Sequence, residues 1–131
     1  MRLLHSMTLK LVEFSEKEIP LYAILSHTWG EGEVSFQDMQ GCNANKKAGY
    51  DKIQRCCEVA AADGFEYAWV DTCCIDKTSS SELSEAINSM YRWYQKAEVC
   101  YVYLSDVPSD GDPLALGSDY SKSRWLTRGS N

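Results

Sequence analysis

The chain reads as an α/β protein, a parallel sheet with flanking helices and a small N-terminal β-hairpin. Three observations predict this. The apolar runs at 21–25, 65–70 and 99–104 have the near-continuous hydrophobicity of strands buried on both faces. Between them lie two segments whose apolar residues recur at the helical period. The order strand, helix, strand, helix, strand then calls for parallel pairing through right-handed crossovers.

Each element has its own signal. In MRLLHSMTLKLVEF two short apolar pieces flank His5 and Ser6, and Leu9 and Leu11 alternate with Thr8 and Lys10, which predicts the hairpin. Ser15 to Pro20 is mostly polar and ends in a proline that stops pairing, so the first core strand is Leu21 to Leu25. Glycines at 30, 32 and 41 make Gly30 to Asn45 a long loop, ordered only over Val34 to Met39. Ile53, Cys56, Cys57, Ala60 and Ala61 form the stripe of a helix from about Gly49 to Ala62, which Asp63 and Gly64 end. Phe65 to Val70 is the second core strand. Ser79 and Glu82 read as a capping box, and Leu83, Ile87, Met90, Tyr91 and Tyr94 as the apolar face of a helix reaching about Ala97. The cluster Tyr91, Trp93, Tyr94 belongs to that packing. Val99 to Leu104 is the third core strand, 105–123 is a loop rich in Ser, Asp, Gly and Pro, and RWLTRGSN reads as an element cut short.

Composition narrows the functions. A length of 131 residues fits one domain. Thirteen basic against nineteen acidic residues give a net charge of −6, with no basic block able to follow a phosphate backbone, so nucleic acid is excluded as a partner. No apolar stretch approaches the roughly 20 residues of a membrane helix. No secretory leader pattern opens the chain, which therefore reads as cytoplasmic. Four of the six cysteines form the adjacent pairs Cys56-Cys57 and Cys73-Cys74, a pattern of core thiols rather than of a disulfide framework. Neither His5 nor His27 has a partner at a zinc-ligand spacing, so no metal is expected.

Ligands of parallel sheets gather at the carboxyl ends of the strands. Two core strands run into SHTWG and DTCCID, which places both segments at one rim. Ser26, His27, Trp29, Gly30, Trp69, Asp71, Cys74 and Asp76 are the candidate ligand-binding residues, with Asp71 and His27 the candidate catalytic ones. Asp71 and Asp76 suit acid/base work at a partly desolvated strand end, or else cap their own turns. His27 is a base, a holder of ribose or phosphate, or a loop anchor. Trp29 and Trp69 stack on a planar ligand or fill the core. Cys74 is a nucleophile candidate or simply a buried thiol.

Taken in order, YAILSHTWG, GYDKIQRCCEVAAADG, YAWVDTCCIDK and SSSELSEAINSMYRWYQKAEVCYVYLSDV closely resemble the fungal heterokaryon incompatibility (HET) domain over nearly the whole chain. S-H-x-W-G, W-V-D-x-x-C-I-D and M-x-x-W-Y carry the resemblance. It implies a single HET domain over 1–131, a cytoplasmic module of fungal non-self recognition that triggers programmed cell death. It also implies distant kinship with TIR domains, hence a flavodoxin-like fold. Some TIR domains cleave NAD with a glutamate that follows the third parallel strand, so NAD is the implied substrate and no cofactor is implied. The family commonly continues R-W-x-x-R-G-W-T-L-Q-E-L. Here Arg124, Trp125, Arg128 and Gly129 are followed by Ser130 and Asn131. The resemblance thus implies a C-terminally truncated domain without that glutamate, inactive alone, with Glu85 a poorer substitute. Expected partners are the chain itself or other death-signalling domains. The alternatives are a non-catalytic self-associating module and, more remotely, a hydrolase built on Cys74.

Overall fold

The computed structural model describes residues 1–27, 30–104 and 123–127. Six strands form one open sheet in the order β2-β1-β4-β3-β5-β6. They are β1 (Arg2–His5), β2 (Leu11–Glu13), β3 (Ala23–His27), β4 (Tyr67–Val70), β5 (Val99–Leu104) and β6 (Ser123–Thr127). Helices α1 (Phe36–Gln40) and α2 (Tyr50–Ala62) precede β4, and α3 (Ser80–Lys96) precedes β5. The expected α/β order is present.

The sheet is mixed rather than wholly parallel. β3 pairs parallel with β4 and β5, and β5 parallel with β6. The hairpin β1–β2 joins the same sheet, because β1 lies antiparallel along the outer edge of β4, with Leu4 opposite Ala68. Leu3 and Leu4 become fully buried there.

Side-chain alternation sends Ala23, Leu25, His27, Ala68, Val70, Tyr101 and Tyr103 to one face, and Ile24, Ser26, Trp69 and Cys100 to the other. The first face packs on α2, whose end accepts a hydrogen bond at Asp63 Oδ2 from Tyr101 Oη (2.6 Å). The second packs on α3, where Trp69 meets the rings of Trp93 and Tyr94 edge-on at 5.5 and 6.2 Å. Ile24, Leu25, Ile53, Cys56, Cys57, Ala60 and Val70 are fully buried between these layers.

Several expectations shift. The first core strand begins at Ala23, not Leu21, because its register is set by pairing on both sides; Leu21 is 66% exposed. The loop after β3 holds more order than expected. Ser35 caps α1 in a complete capping box with Asp38, and a 3-10 turn follows at Ala44–Lys46. The helix stripe of α2 is as read, and Gly64, at φ +91°, turns the chain out of it in a conformation costly for any other residue. At α3 only half of the capping box forms. Ser79 Oγ accepts from the Glu82 N–H, whereas the Glu82 carboxylate accepts from the Asp76 N–H and pairs with Arg2.

The expected apolar face of α3 holds in part, with Leu83, Met90 and Tyr94 packed against the core. Ala86, Ser89 and Trp93 are buried, while Ile87 is 63% and Tyr91 76% exposed, so Tyr91 is not part of the packing. β6, within the segment read as cut short, is a further parallel strand. The 105–123 loop lies outside the described residues except for Ser123, the first residue of β6. Among the described residues no helix is long and apolar enough to cross a membrane.

Candidate functional site

β3 ends in His27, Asp71 follows β4 directly, and Tyr103 stands beside His27 in the register of β5. The carboxyl ends of three parallel strands therefore converge. His27 Nε2 lies 2.7 Å from Asp71 Oδ1. The His27 side chain is 1% exposed and that of Asp71 22%, so the carboxylate is the member of the pair that meets solvent.

Two residues that the sequence reading passed over complete the arrangement. Lys52, in the first turn of α2, buries its stem and brings Nζ to 3.1 Å from His27 Nδ1 and 2.8 Å from Glu33 Oε2. The same ammonium stands 5.7 Å from the centre of the Tyr103 ring. Glu33 comes from the loop after β3, and its Oε2 also accepts the Gly30 N–H at 2.6 Å. Both side chains of this ion pair are 10% exposed. Lys77 donates to the backbone carbonyls of Asp71 and Thr72, fixing the turn that carries the carboxylate. Burial lowers the Lys77 pKa, and Asp71 partly opposes that shift. The result is a chain of contacts, Glu33 to Lys52 to His27 to Asp71, spanning a loop, a helix and two strand ends.

A signal for Lys52 was present in the sequence. It lies four residues before Cys56, on the buried stripe of its helix, where a lysine is out of place unless paired. Glu33 carries no such mark.

The other candidates distribute differently. Ser26 faces α3, beside the Tyr94 hydroxyl. Gly30 serves the network through its N–H, and Trp29 lies outside the described residues. Trp69 is 1% exposed and belongs to the core. Cys74 is 3% exposed, and its Sγ accepts the Val70 N–H at 3.4 Å. Its neighbours Cys56 and Cys73 are held as neutral thiols: burial is the main cause for Cys56, and for Cys73 a hydrogen bond with Cys74 comes first, then burial. Asp76 is a turn cap. Its Oδ1 accepts from the Thr78 N–H at 3.1 Å and from Gln37 Nε2 at 2.8 Å, and bonding from Thr78 and then Gln37 holds the carboxyl below the usual range.

Trp69 and Cys74 instead border a cavity of about 300 Å³, together with Ile75, Glu82, Glu85 and Trp93. SHTWG and DTCCID thus meet through His27 and Asp71, while Trp69 and Cys74 border the cavity beside α3. Among the described residues no cluster of three or more His, Cys, Asp or Glu is arranged to hold a metal.

A family model described as "Heterokaryon incompatibility protein (HET)" matches residues 22–129, which include all four members of the network. The vegetative incompatibility protein HET-E-1 of Podospora anserina is 54% identical over 119 residues, covering 86% of this chain and 9% of that protein. The chain therefore spans about a tenth of the length of this relative. No solved structure matches it.

Proposed function

The chain belongs to the heterokaryon incompatibility (HET) family, and from that premise we propose that it is a cytoplasmic signalling domain of fungal vegetative incompatibility, whose output is the death of fused cells through cleavage of NAD. The observation that carries the reading is the His27–Asp71 contact of 2.7 Å at the carboxyl rim. Taken in chain order, the four parallel strands lie 2-1-3-4 across the sheet, the start of the flavodoxin-type order, and such sheets bind nucleotides at this rim. This supports the TIR-like reading.

Cleavage breaks the bond between the ribose C1′ and the nicotinamide nitrogen, whose electron pair leaves with nicotinamide. Water supplies the new C–O bond and releases one proton. Positive charge builds on the ribose as the bond breaks, and the partly exposed Asp71 carboxylate is placed to stabilise it or to orient the water. The glutamate of the family's usual continuation would act as the second carboxylate.

The test is nicotinamide release from NAD by the 131-residue chain and by a form extended through the R-G-W-T-L-Q-E-L continuation. The expected result is release by the extended form and a loss of about 100-fold on Asp71→Asn, the scale of a lost electrostatic or general-base contribution. No release by either form, folded and at high concentration, sinks the reading.

A second reading has its own observation. Ile87 and Tyr91 stand one helical turn apart on the solvent face of α3, 63% and 76% exposed. They favour a module that signals by self-association. Killing that survives Asp71→Asn and is lost on Ile87→Asp would select it.

A further inference from the structure

His27 looks from sequence like a proton-transfer group, yet both of its ring nitrogens are engaged and its side chain is 1% exposed. What surrounds it decides which nitrogen bears the proton. A lysine ammonium has donors and no acceptor, so at 3.1 Å from Lys52 Nζ the His27 Nδ1 must offer its lone pair. An ionised carboxylate accepts only, so at 2.7 Å from Asp71 Oδ1 the Nε2 must carry the hydrogen. A second proton on the ring would point Nδ1–H at the ammonium. Glu33, 2.8 Å from the same Nζ, supplies the counter-charge and holds Lys52 in this place.

We propose that Glu33 and Lys52 lock His27 as the neutral Nε2–H tautomer, and that His27, so locked, is a positioning residue that aims Asp71 rather than a base that takes a proton from substrate. The charged and titratable groups around the ring agree with this. α2 contributes Lys52, the loop after β3 contributes Glu33, the turn after β4 contributes Asp71 with Lys77 behind it, and β5 contributes Tyr103. None of them leaves a lone pair of His27 open to a ligand. The lock also gives Lys52 and Glu33 a role that neither composition nor spacing assigns them.

Nitrogen NMR on histidine-labelled protein tests the lock directly. The chain has two histidines, and His5→Gln leaves His27 alone in the spectrum. At neutral pH the expected result is a proton-bearing Nε2 and a bare, hydrogen-bonded Nδ1. In Lys52→Met, and more mildly in Glu33→Gln, the Nδ1 resonance moves toward that of an unbonded ring nitrogen. A proton found on Nδ1 in the unsubstituted network, or an Nδ1 signal indifferent to both variants, overturns the proposal.

The turnover arm rests on the NAD-cleaving reading above. Glutamine spaces its amide oxygen and nitrogen much as imidazole spaces its two nitrogens, so it can accept from Lys52 and donate to Asp71 without transferring a proton. His27→Gln is expected to keep activity within tenfold, where His27→Ala loses about 100-fold; a true base would lose about 100-fold or more in both. Equal losses overturn the positioning role. Absence of nicotinamide release in every form sinks the NAD reading alone, because the spectrum reports the tautomer independently of turnover.

Discussion

Tyr22 Oη donates to the backbone carbonyl of Trp93 at 2.6 Å, a buried bond joining the entry of β3 to the last turn of α3. The same carbonyl accepts the Ala97 N–H at 3.1 Å. Removing the hydroxyl therefore leaves the carbonyl one partner, not none. Tyr22→Phe is expected to cost about 1 kcal/mol, the usual net worth of a buried hydrogen bond. The check is a lower urea midpoint at unchanged slope.

Stability should fall in alkali. Burial, with Glu16 adding to it, pushes Tyr22 from 10.0 to about 12; burial and then Cys100 and Asp71 do the same for Tyr94. Burial and then Cys74 raise Cys57 from 9.0 to about 12. In each case the fold favours the neutral, protonated form. Their contribution is thus complete below the ordinary values of 9.0 and 10.0 and drains away as pH climbs to about 12. Urea midpoints measured from pH 8 to 12 should decline above 9, less steeply in Tyr22→Phe. A midpoint that rises across that range contradicts the argument.

Lys52 and Glu33 should be strongly coupled. With both side chains 10% exposed, Lys52→Met strands a nearly buried carboxylate and should cost about 3 kcal/mol. Adding Glu33→Gln removes the stranded charge, so the double variant should be more stable than the sum of the single losses predicts. Simple additivity in the unfolding free energies would show that the two residues do not share a desolvated pair.

Gly49 is held by space rather than by its backbone angle, which at φ −72° suits any residue. A Cβ there would stand 2.9 Å from the Gly32 carbonyl oxygen and 3.0 Å from Glu33 Cα and Oε1. Gly49→Ala is expected to cost about 1–3 kcal/mol, as overpacking does, and to disturb Glu33. Gly41→Ala, whose nearest neighbour is 3.8 Å away, is the control that should lose nothing in thermal unfolding.

On α3 the two faces should respond oppositely. Trp93→Ala removes a side chain 4% exposed and should cost about 3–5 kcal/mol, whereas Ile87→Ser and Tyr91→Ser should each stay within about 0.5 kcal/mol. Chemical denaturation of the three variants decides whether the helix is oriented as described.

The α2 stripe was legible because Ile53, Cys56, Cys57 and Ala60 are apolar, repeat at the helical period and are all buried. On α3 Leu83, Met90 and Tyr94 were legible, but Ile87 and Tyr91 misled because apolar bulk stands at outward positions there while the small Ala86 and Ser89 stand inward. β6 was hidden by the polar stretch before it. At the site, His27 and Asp71 could be placed at one rim from the strand pattern alone, since both sit at strand ends. Lys52 is marked as a lysine on a buried stripe, but it could not be joined to them with Glu33, because a loop glutamate looks solvated until the packing of α2 onto β3 brings the two together. Trp69 was assigned to the same cleft because its packing against Trp93 and Tyr94 of α3 is invisible in the strand pattern, and Cys74 because the turn after β4 that buries its thiol cannot be read from spacing.

The placement of β3 between β4 and β5 has a consequence for how the chain is made. One flank of this apolar strand is covered by Ala68–Val70, but the other waits for Val99–Tyr103, which leave the ribosome much later. Pairing across so long a stretch of chain is slow, because the loop must close before the contact rewards it. During synthesis Ile24 and Leu25 therefore stay half-covered until β5 arrives, which makes this strand the stretch a chaperone would have to shield in the nascent protein.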